Sequence, residues 1–291
     1  MTKLDPRRHA FRADLADARL RGQVEAEQFV EGEIKRLIVP SIELHAAPRT
    51  DQPATTEVLW GEDILVFEET KDWAWVQLER DGYVGYMARE ALGPASETLT
   101  HKVSCQWGYG FKSADIKSNL RMVLPFGACV AGTLEKDFLR LSNGLFMPRQ
   151  HASPQAACEP DFVTVAERFL GTPYRWGGKT ALGLDCSGLV QVVLQAAGAE
   201  CPRDSDMQAA ELGDPVPKSG WSHLQRGDLV FWRGHVGVMT DPAHLLHANG
   251  HHMAVTRELL VTVIGRAEAI GSAVTAVRRV KVSSPPNSLR P

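Results

Sequence analysis

One cysteine and two downstream histidines have the residue types and spacing that covalent catalysis by a thiol requires. Cys186 follows Asp185 where a helix is expected to begin, and helix-start N–H groups and the helix dipole favour a thiolate. His235 and His247 come later, each within a short apolar segment. Such a site needs a nucleophile, a base and a group that orients the base. The pattern therefore predicts Cys186 as the nucleophile and His235 as its general base, with a thiol pKa below its ordinary value.

Each of these residues also has a simpler explanation. A single cysteine is most often a small buried side chain, although the polar sequence Asp-Cys-Ser-Gly around Cys186 argues against a core position. The orienting role of His247 has four competitors: His223, His244, His251 and His252. His251 and His252 lie in a turn and are better explained as solvated. His244 and His247 are three residues apart and point to opposite faces of a strand, so only one of them can face the site. The residues alone leave the choice between His244 and His247 open.

The composition describes an ordinary globular chain. It has 291 residues, 44% apolar and 23% charged, with a formal net charge of -3, which gives no basis for a nucleic-acid partner or an anionic membrane surface. The five cysteines are odd in number and irregularly spaced, so neither a disulfide set nor a metal site is expected. No leader-like or membrane-spanning apolar run is found, and we expect a cytoplasmic protein.

The first half of the chain changes from a helical to a strand-like sequence pattern after its N-terminal segment. Apolar residues at roughly helical spacing predict a helix over residues 11–36. Short β-type runs follow, at 37–39, 42–44, 57–60, 64–67 and 73–78, and again at 102–105, 122–124, 128–131, 138–141 and 145–147. Both series place an apolar stretch before a glycine, then a strand, an acidic turn and another strand. This order predicts two related small β-barrels in tandem.

The second half has an α+β pattern. Residues 162–170 fit a helix, and a second helix is expected from Cys186 to about residue 198, with Asp185 as its N-cap. Ser205–Gln208 fits a capping box that opens a third helix. Residues 228–232, 236–239 and 244–247 are expected as antiparallel strands, and the proline-rich tail, residues 283–291, as disordered.

Five ordered motifs in residues 155–275 resemble the NlpC family of papain-like bacterial cell-wall peptidases. They are residues 171–178 (GTPYRWGG), 185–191 (DCSGLVQ), 226–232 (RGDLVFW), 235–238 (HVGV) and 246–248 (LHA). The resemblance implies a Cys–His–polar triad of Cys186, His235 and His247, which favours His247 over His244. It also implies an α+β, papain-like peptidase domain with helices packed on an antiparallel sheet.

The arrangement is similar to a subgroup in which two small SH3-like β-barrels precede the peptidase domain. The expected domains are residues 1–97 (N-terminal helix and first barrel), 98–153 (second barrel), 154–276 (peptidase) and 277–291 (tail). In that subgroup the residues that flank the nucleophile and a later Arg-Asp-Ser segment contact the substrate. The resemblance thus implies substrate-binding roles for Tyr83, Tyr174, Asp185, Ser187, Asp204 and Ser205.

Each of those assignments has a structural alternative. Asp185 and Ser205 are also explained as helix caps, while Tyr83 and Tyr174 are also explained as packing aromatics. The subgroup takes an acid from its first barrel as well, and neither Asp51 nor Glu57 lies in a convincing motif for it.

The function implied by the resemblance is hydrolysis of the γ-D-glutamyl–diamino acid bond in murein peptides with a free N-terminal L-Ala, in cell-wall peptide recycling. The expected partner is a murein tripeptide or a related short cell-wall peptide, with no cofactor, metal, nucleic acid or membrane, and the protein is expected to be a monomer. The alternatives are a papain-like amidase or acyltransferase and a non-catalytic cell-wall-binding protein.

Overall fold

The computed structural model describes residues 4–281, and the chain divides into two compact units, residues 1–156 and 157–291. Strands dominate and helices are few. The tail at residues 283–291, predicted to be disordered, lies outside the described residues. Within residues 4–281, no helix combines the length and the apolar character needed to cross a membrane.

The regular elements described in the first unit are strands and short 3-10 turns. The strands are β1 (Leu15–Asp17), β2 (Gln28–Val30), β3 (Glu33–Leu37), β4 (Ser41–Leu44), β5 (Thr56–Leu59), β6 (Asp63–Glu69), β7 (Trp73–Leu78), β8 (Val84–Ala88), β9 (Leu92–Pro94), β10 (His101–Val103), β11 (Trp107–Phe111), β12 (Leu120–Pro125), β13 (Cys129–Val130), β14 (Gly132–Glu135), β15 (Phe138–Leu141), β16 (Phe146–Pro148) and β17 (Ala152–Pro154). The 3-10 turns are Ala18–Leu20, Arg89–Ala91 and Arg149–His151.

These strands form two sets with the same plan. In the first, a sheet of order β8-β7-β6-β3-β9 and the β4–β5 hairpin enclose a core that includes Leu37, Leu44, Val58, Ile64 and Val76. In the second, the sheets are β12-β11-β16-β15-β14 and β13-β10-β17. The first and last strands of each set pair, β3 with β9 and β10 with β17, and a 3-10 turn precedes the last strand. This repeat explains the internal similarity of the sequence.

The helix predicted over residues 11–36 is wrong. The segment forms β1, a 3-10 turn, β2 and most of β3, and β1 pairs with β2 in parallel. Gly22 has φ +81°, which lies outside the helical region, and β3 pairs with β6. The helical spacing of apolar residues was coincidental: Leu15 packs in a small core, whereas Ile34 is exposed.

Most strands predicted after residue 36 in the first unit are confirmed with small shifts at their ends, but five were missed. The segment predicted at 37–39 is only the end of β3, because the chain turns before β4 begins. The missed strands are β8, β9, β11, β14 and β17. β11 contains Gly108 and Gly110, which weaken the strand signal, and Gly108 lies tightly against Val103 and Met147.

The second unit packs helices on an antiparallel sheet. Its helices are α1 (Phe162–Glu167), α2 (Cys186–Ala196), α3 (Ser205–Glu211) and α4 (Leu260–Glu268), with a 3-10 turn at Lys218–Gly220. Its strands are β18 (Lys179–Thr180), β19 (Gly183–Leu184), β20 (Asp214–Pro215), β21 (Asp228–Trp232), β22 (His235–Met239), β23 (His244–Asn249), β24 (Ala254–Leu259) and β25 (Val274–Arg279). Six of the strands form one sheet of order β20-β25-β21-β22-β23-β24.

Helix α2 is the central element of this unit. All of its residues except Gln195 are buried, and it packs against α1 and against β22 and β23. Its first residue is Cys186, as predicted, and the predicted N-cap role of Asp185 is confirmed by a hydrogen bond from the Gly188 N–H to the Asp185 carboxylate. The packing of α2 on β22 and β23 brings the start of the helix to the strands that carry His235 and His247.

Candidate active site

Cys186 lies where the start of α2 meets the start of β22. Its Sγ is 4.0 Å from the carbonyl oxygen of Gly234, and the backbone N–H groups of Val236 and Ser187 are placed to hydrogen-bond the sulfur. Gly234 and Val236 are the two chain neighbours of His235. The helix start thus supplies one N–H donor to the sulfur, from Ser187, as the sequence predicted, and β22 supplies another, from Val236.

The protonation state of this thiol differs from the prediction. Cys186 is only 6% exposed, and burial, together with the Asp185 carboxylate, raises the pKa of its thiol to about 11. The N–H groups and the charge of Arg203 act in the opposite direction but are outweighed. The expectation of a lowered thiol pKa is therefore wrong for the free protein, because removal from water disfavours the thiolate.

His235 and His247 form a hydrogen-bonded pair on neighbouring strands. Nε2 of His235 is 2.8 Å from Nδ1 of His247, and the ring centroids are 5.1 Å apart. The register of β22 against β23 pairs Val238 with Leu246, and its continuation places His247 opposite Gly237. His235 lies two residues before Gly237 in β22, so both rings lie on the same face of the sheet as diagonal neighbours. The structure thus brings His247, and not His244, to His235.

The other histidine of β23 has different partners. The ring of His244 lies 3.0 Å from the Asp241 carboxylate, in a half-exposed ion-pair cluster that also includes Arg257. The opposite orientation of residues three apart on a strand explains the separation.

Both rings of the histidine pair are held neutral. Burial, with smaller contributions from the nearby His247 and Arg266, lowers the pKa of His235 to about 3. Burial also lowers the pKa of His247, although a hydrogen bond with Glu258 opposes this effect. At neutral pH the pair is able to accept a proton, which is the state that a general base requires.

Glu258 of β24 extends this hydrogen-bonded row and was missed from the sequence. Its Oε2 lies 2.9 Å from Nε2 of His247, and Arg266 of α4 contacts both carboxylate oxygens at 2.9 Å. His247 pairs with Thr256 across the two strands, so Glu258, two residues beyond Thr256, shares its face. The alternation of side chains along β24 places Thr256 and Glu258 on one face. Only the register between β23 and β24 shows that this face is the one that carries His247.

Tyr174 lies in the neighbourhood of the thiol. Burial, together with the nearby Cys186 and Asp185, raises the pKa of its hydroxyl to about 12. Its backbone N–H donates to the carbonyl of Met253, which fixes this segment beside the β23–β24 turn. The structure therefore brings Tyr174 together with the nucleophile.

Asp185 and Ser187 belong to a buried polar cluster around Arg203. The Asp185 carboxylate accepts hydrogen bonds from the backbone N–H groups of Gly177 and Gly188, at 2.8 and 2.7 Å. Arg203, which is 1% exposed, donates to both oxygens of Asp185 at 3.0 and 2.6 Å and to the Ser187 hydroxyl at 2.8 Å. Both carboxylate oxygens are thus engaged within the protein, an arrangement that fixes the start of α2.

Asp204 and Ser205 lie at the start of α3, next to Arg203. The predicted capping box is wrong: Asp204 occupies the N-cap position without a side-chain cap hydrogen bond, and Ser205 is the first helical residue. Gln208, the expected box partner, donates instead to the carbonyl oxygens of Ser187 and Pro202. Arg203 and Gln208 therefore tie the start of α3 to the start of α2.

The remaining predicted site residues belong to the first unit. Tyr83 is 5% exposed and packs in the core of the first strand set, the alternative considered for it. Asp51 forms an exposed ion pair with Arg49, and Glu57 is buried in β5.

A buried thiol at a helix start, beside a hydrogen-bonded pair of neutral imidazoles on an antiparallel sheet, has the components of thiol catalysis. The class of protein that this fold and site define is the cysteine peptidases.

Comparison with known proteins gives the family. Residues 171–264 match the NlpC/P60 family, and residues 44–92 match the bacterial dipeptidyl-peptidase Sh3 domain. The chain is 37% identical over 113 residues to the protein named probable endopeptidase NlpC of Escherichia coli, covering 34% of this chain and 71% of that protein. The chain belongs to the NlpC/P60 family.

A longer match spans about two thirds of the chain. The chain is 27% identical over 234 residues to a protein of Bacillus cereus named gamma-D-glutamyl-L-lysine dipeptidyl-peptidase, a match that spans 66% of each chain. The crystal structure of an NlpC/P60 family protein from Bacillus cereus superposes with a TM-score of 0.73 at 20% identity, over 85% of this chain and 99% of that one. This likeness is one of fold.

Proposed function

We propose that this peptidase hydrolyses the γ-D-glutamyl–diamino acid bond of short murein peptides that carry a free N-terminal L-Ala. The observation that carries the proposal is the thiol of Cys186 at the start of α2, beside the 2.8 Å hydrogen bond between His235 and His247. The name of the Bacillus cereus relative supports the γ-D-glutamyl bond as the one that is cut.

The proposed mechanism assigns one role to each member of the triad. His235 accepts the proton of Cys186 as the sulfur attacks the carbonyl carbon of the γ-D-glutamyl amide. The backbone N–H groups at the start of α2 stabilise the oxyanion, and each such donor contributes about 2.7–4 kcal/mol. His235 then gives the proton to the leaving amine, which breaks the C–N bond and leaves a thioester. Water, activated by His235, releases the acid and restores the thiol, while His247 orients the ring of His235.

The substrate contacts remain predictions with unequal support. Tyr174 and Ser187 are favoured because they lie near the nucleophile, and Asp204 and Ser205 because Arg203 and Gln208 hold their segment against the start of α2. Asp185 has both oxygens engaged within the protein, which favours a role in holding this segment in place. Tyr83 is the least supported, since its burial in the first strand set already explains it.

The architecture that we propose is two SH3-like barrels, residues 1–97 and 98–153, followed in the sequence by a papain-like peptidase domain over residues 154–276. The repeated strand plan supports two barrels, and the match of residues 44–92 supports the SH3-like assignment of the first. We also propose that the enzyme is a cytoplasmic monomer that acts in murein-peptide recycling, where its substrate would be a tripeptide with a free amine.

The test compares L-Ala-γ-D-Glu-diamino acid with its N-acetylated form, with mass spectrometry of the products. We expect cleavage of the free peptide only, with L-Ala-D-Glu and the diamino acid as products, and no cleavage by the Cys186→Ala variant. Equal cleavage of both peptides would overturn the amine requirement. Transfer of the dipeptide to added amines would indicate an acyltransferase, and cell-wall affinity without any cleavage would indicate a binding protein.

A further inference from the structure

A row of hydrogen-bonded side chains runs from His235 through His247 and ends at the carboxylate of Glu258. Glu258 lies 2.9 Å from Nε2 of His247, and its side chain is 13% exposed. Arg266 spans both of its oxygens, and His252 lies 3.2 Å from Oε1.

A carboxylate at the end of this row determines where the protons lie. An ionised carboxylate only accepts hydrogen bonds, so Nε2 of His247 must carry the proton that is donated to Glu258. In the neutral ring, Nδ1 of His247 then has a lone pair and accepts the hydrogen bond from Nε2 of His235. The neutral ring of His235 therefore carries its proton on Nε2 and has its lone pair on Nδ1.

We propose that Glu258 is a positioning residue that acts through His247 to hold His235 in the tautomer whose Nδ1 accepts the proton of Cys186. This inference rests on the triad of the proposed function and adds a fourth member to it. Glu258 acts at a distance from the nucleophile. It sets the donor and the acceptor of two consecutive hydrogen bonds, from His247 to Glu258 and from His235 to His247.

The surroundings of Glu258 keep the carboxylate ionised and fixed. The hydrogen bonds from Arg266 hold the pKa of the Glu258 carboxyl below its ordinary range, with further contributions from His247 and His252. Thr256 of the same strand also contacts Oε2, at 3.4 Å. Arg266 belongs to α4, so the carboxylate is held from both the sheet and the helix that covers it.

The same geometry predicts what loss of the carboxylate would do. In a Glu258→Leu variant, Nε2 of His247 loses its acceptor, while Arg266, which had bound the carboxylate, can only donate. A lone pair on Nε2 of His247 is then favoured over an N–H, so its Nδ1 carries the proton and Nε2 of His235 becomes the acceptor. The proton of His235 then lies on Nδ1, where it blocks proton transfer from the thiol.

The experiment is 15N NMR of the histidine rings in the full-length protein, combined with peptide turnover. In the wild type we expect His235 and His247 both to be protonated on Nε2, and in Glu258→Leu both to be protonated on Nδ1. We expect kcat to fall by roughly 10- to 10⁴-fold, the range seen when partners that orient catalytic or metal-bound histidines are altered, with KM nearly unchanged.

Asp241→Leu is the matched control. Asp241 is also a carboxylate that contacts a histidine, His244, and an arginine, Arg257, but His244 does not belong to the row that ends at Glu258. We expect this variant to keep the wild-type tautomers of His235 and His247 and the wild-type kcat. A purely structural role for Glu258 would instead give similar losses of activity in the two variants.

Two results would overturn the proposal. One is an unchanged pair of tautomers in Glu258→Leu, and the other is a fall in kcat for Asp241→Leu as large as that for Glu258→Leu. The NMR measurement needs no substrate, so it decides the role of Glu258 even if the proposed peptide is not cleaved. Failure of the proposed function would appear separately, as absence of turnover by the wild type.

Discussion

Replacement of Arg203 by methionine is expected to destabilise the second unit strongly. Arg203 is 1% exposed and donates three hydrogen bonds, two to Asp185 and one to Ser187. Methionine fills much of the same volume, so the main loss is electrostatic: a buried carboxylate is left without its counter-charge. Such a loss typically costs about 3–5 kcal/mol.

The lower end of that range is expected here. Asp185 would retain the backbone N–H groups of Gly177 and Gly188, and it is also able to take up a proton, which limits the cost of its burial. A loss of about 3 kcal/mol corresponds to roughly a hundredfold rise in the unfolded population. With a urea dependence of about 2 kcal/mol per M, the unfolding midpoint falls by about 1.5 M.

The assay is a urea series with pulse alkylation of Cys201, read by mass spectrometry of its peptide. Cys201 is 3% exposed and belongs to the second unit, so it reports on that unit within the full chain. Arg168→Met is the control, because the Arg168–Glu159 pair has side-chain exposures of 40% and 25%. A pair of this kind contributes about 0–1 kcal/mol. The reasoning is refuted if the two variants shift the midpoint equally.

Two further predictions concern the nucleophile and its helix. Because burial raises the pKa of the Cys186 thiol to about 11, the thiol is protonated at neutral pH, and its alkylation by iodoacetamide should rise about tenfold per pH unit between pH 7 and 10; a rate that is level from pH 6 upward would show instead a preformed thiolate. Gly188→Ala would place a Cβ 2.3 Å from the Gly178 carbonyl oxygen, and overpacking of this kind costs typically 1–3 kcal/mol. The same urea assay measures this loss, and an unchanged midpoint would show that the Gly178 segment moves aside freely.

Local patterns predicted the elements that carry the candidate site but missed helix α4 and strands β18, β19, β20, β24 and β25 of the second unit. The start of α2 at Cys186, its N-cap Asp185 and the strands at 228–232, 236–239 and 244–247 follow from capping chemistry and alternation, which act over a few residues. The helix prediction for residues 11–36 was wrong because the spacing of apolar residues alone does not exclude strand pairing. The end of this segment pairs with β6, a strand far along the chain.

The sequence by itself determined the chemical parts of the site: a cysteine at a helix start, histidines on later strands, and the motifs that relate the chain to its family. Only the tertiary structure decided how these parts act. Burial, which depends on the whole fold, raises the pKa of the Cys186 thiol and lowers that of His235. The register of β23 against β24 brings Glu258 to His247, and the packing of α3 brings Arg203 to Asp185. Desolvation and strand register are properties of contacts between distant segments, and no local pattern contains them.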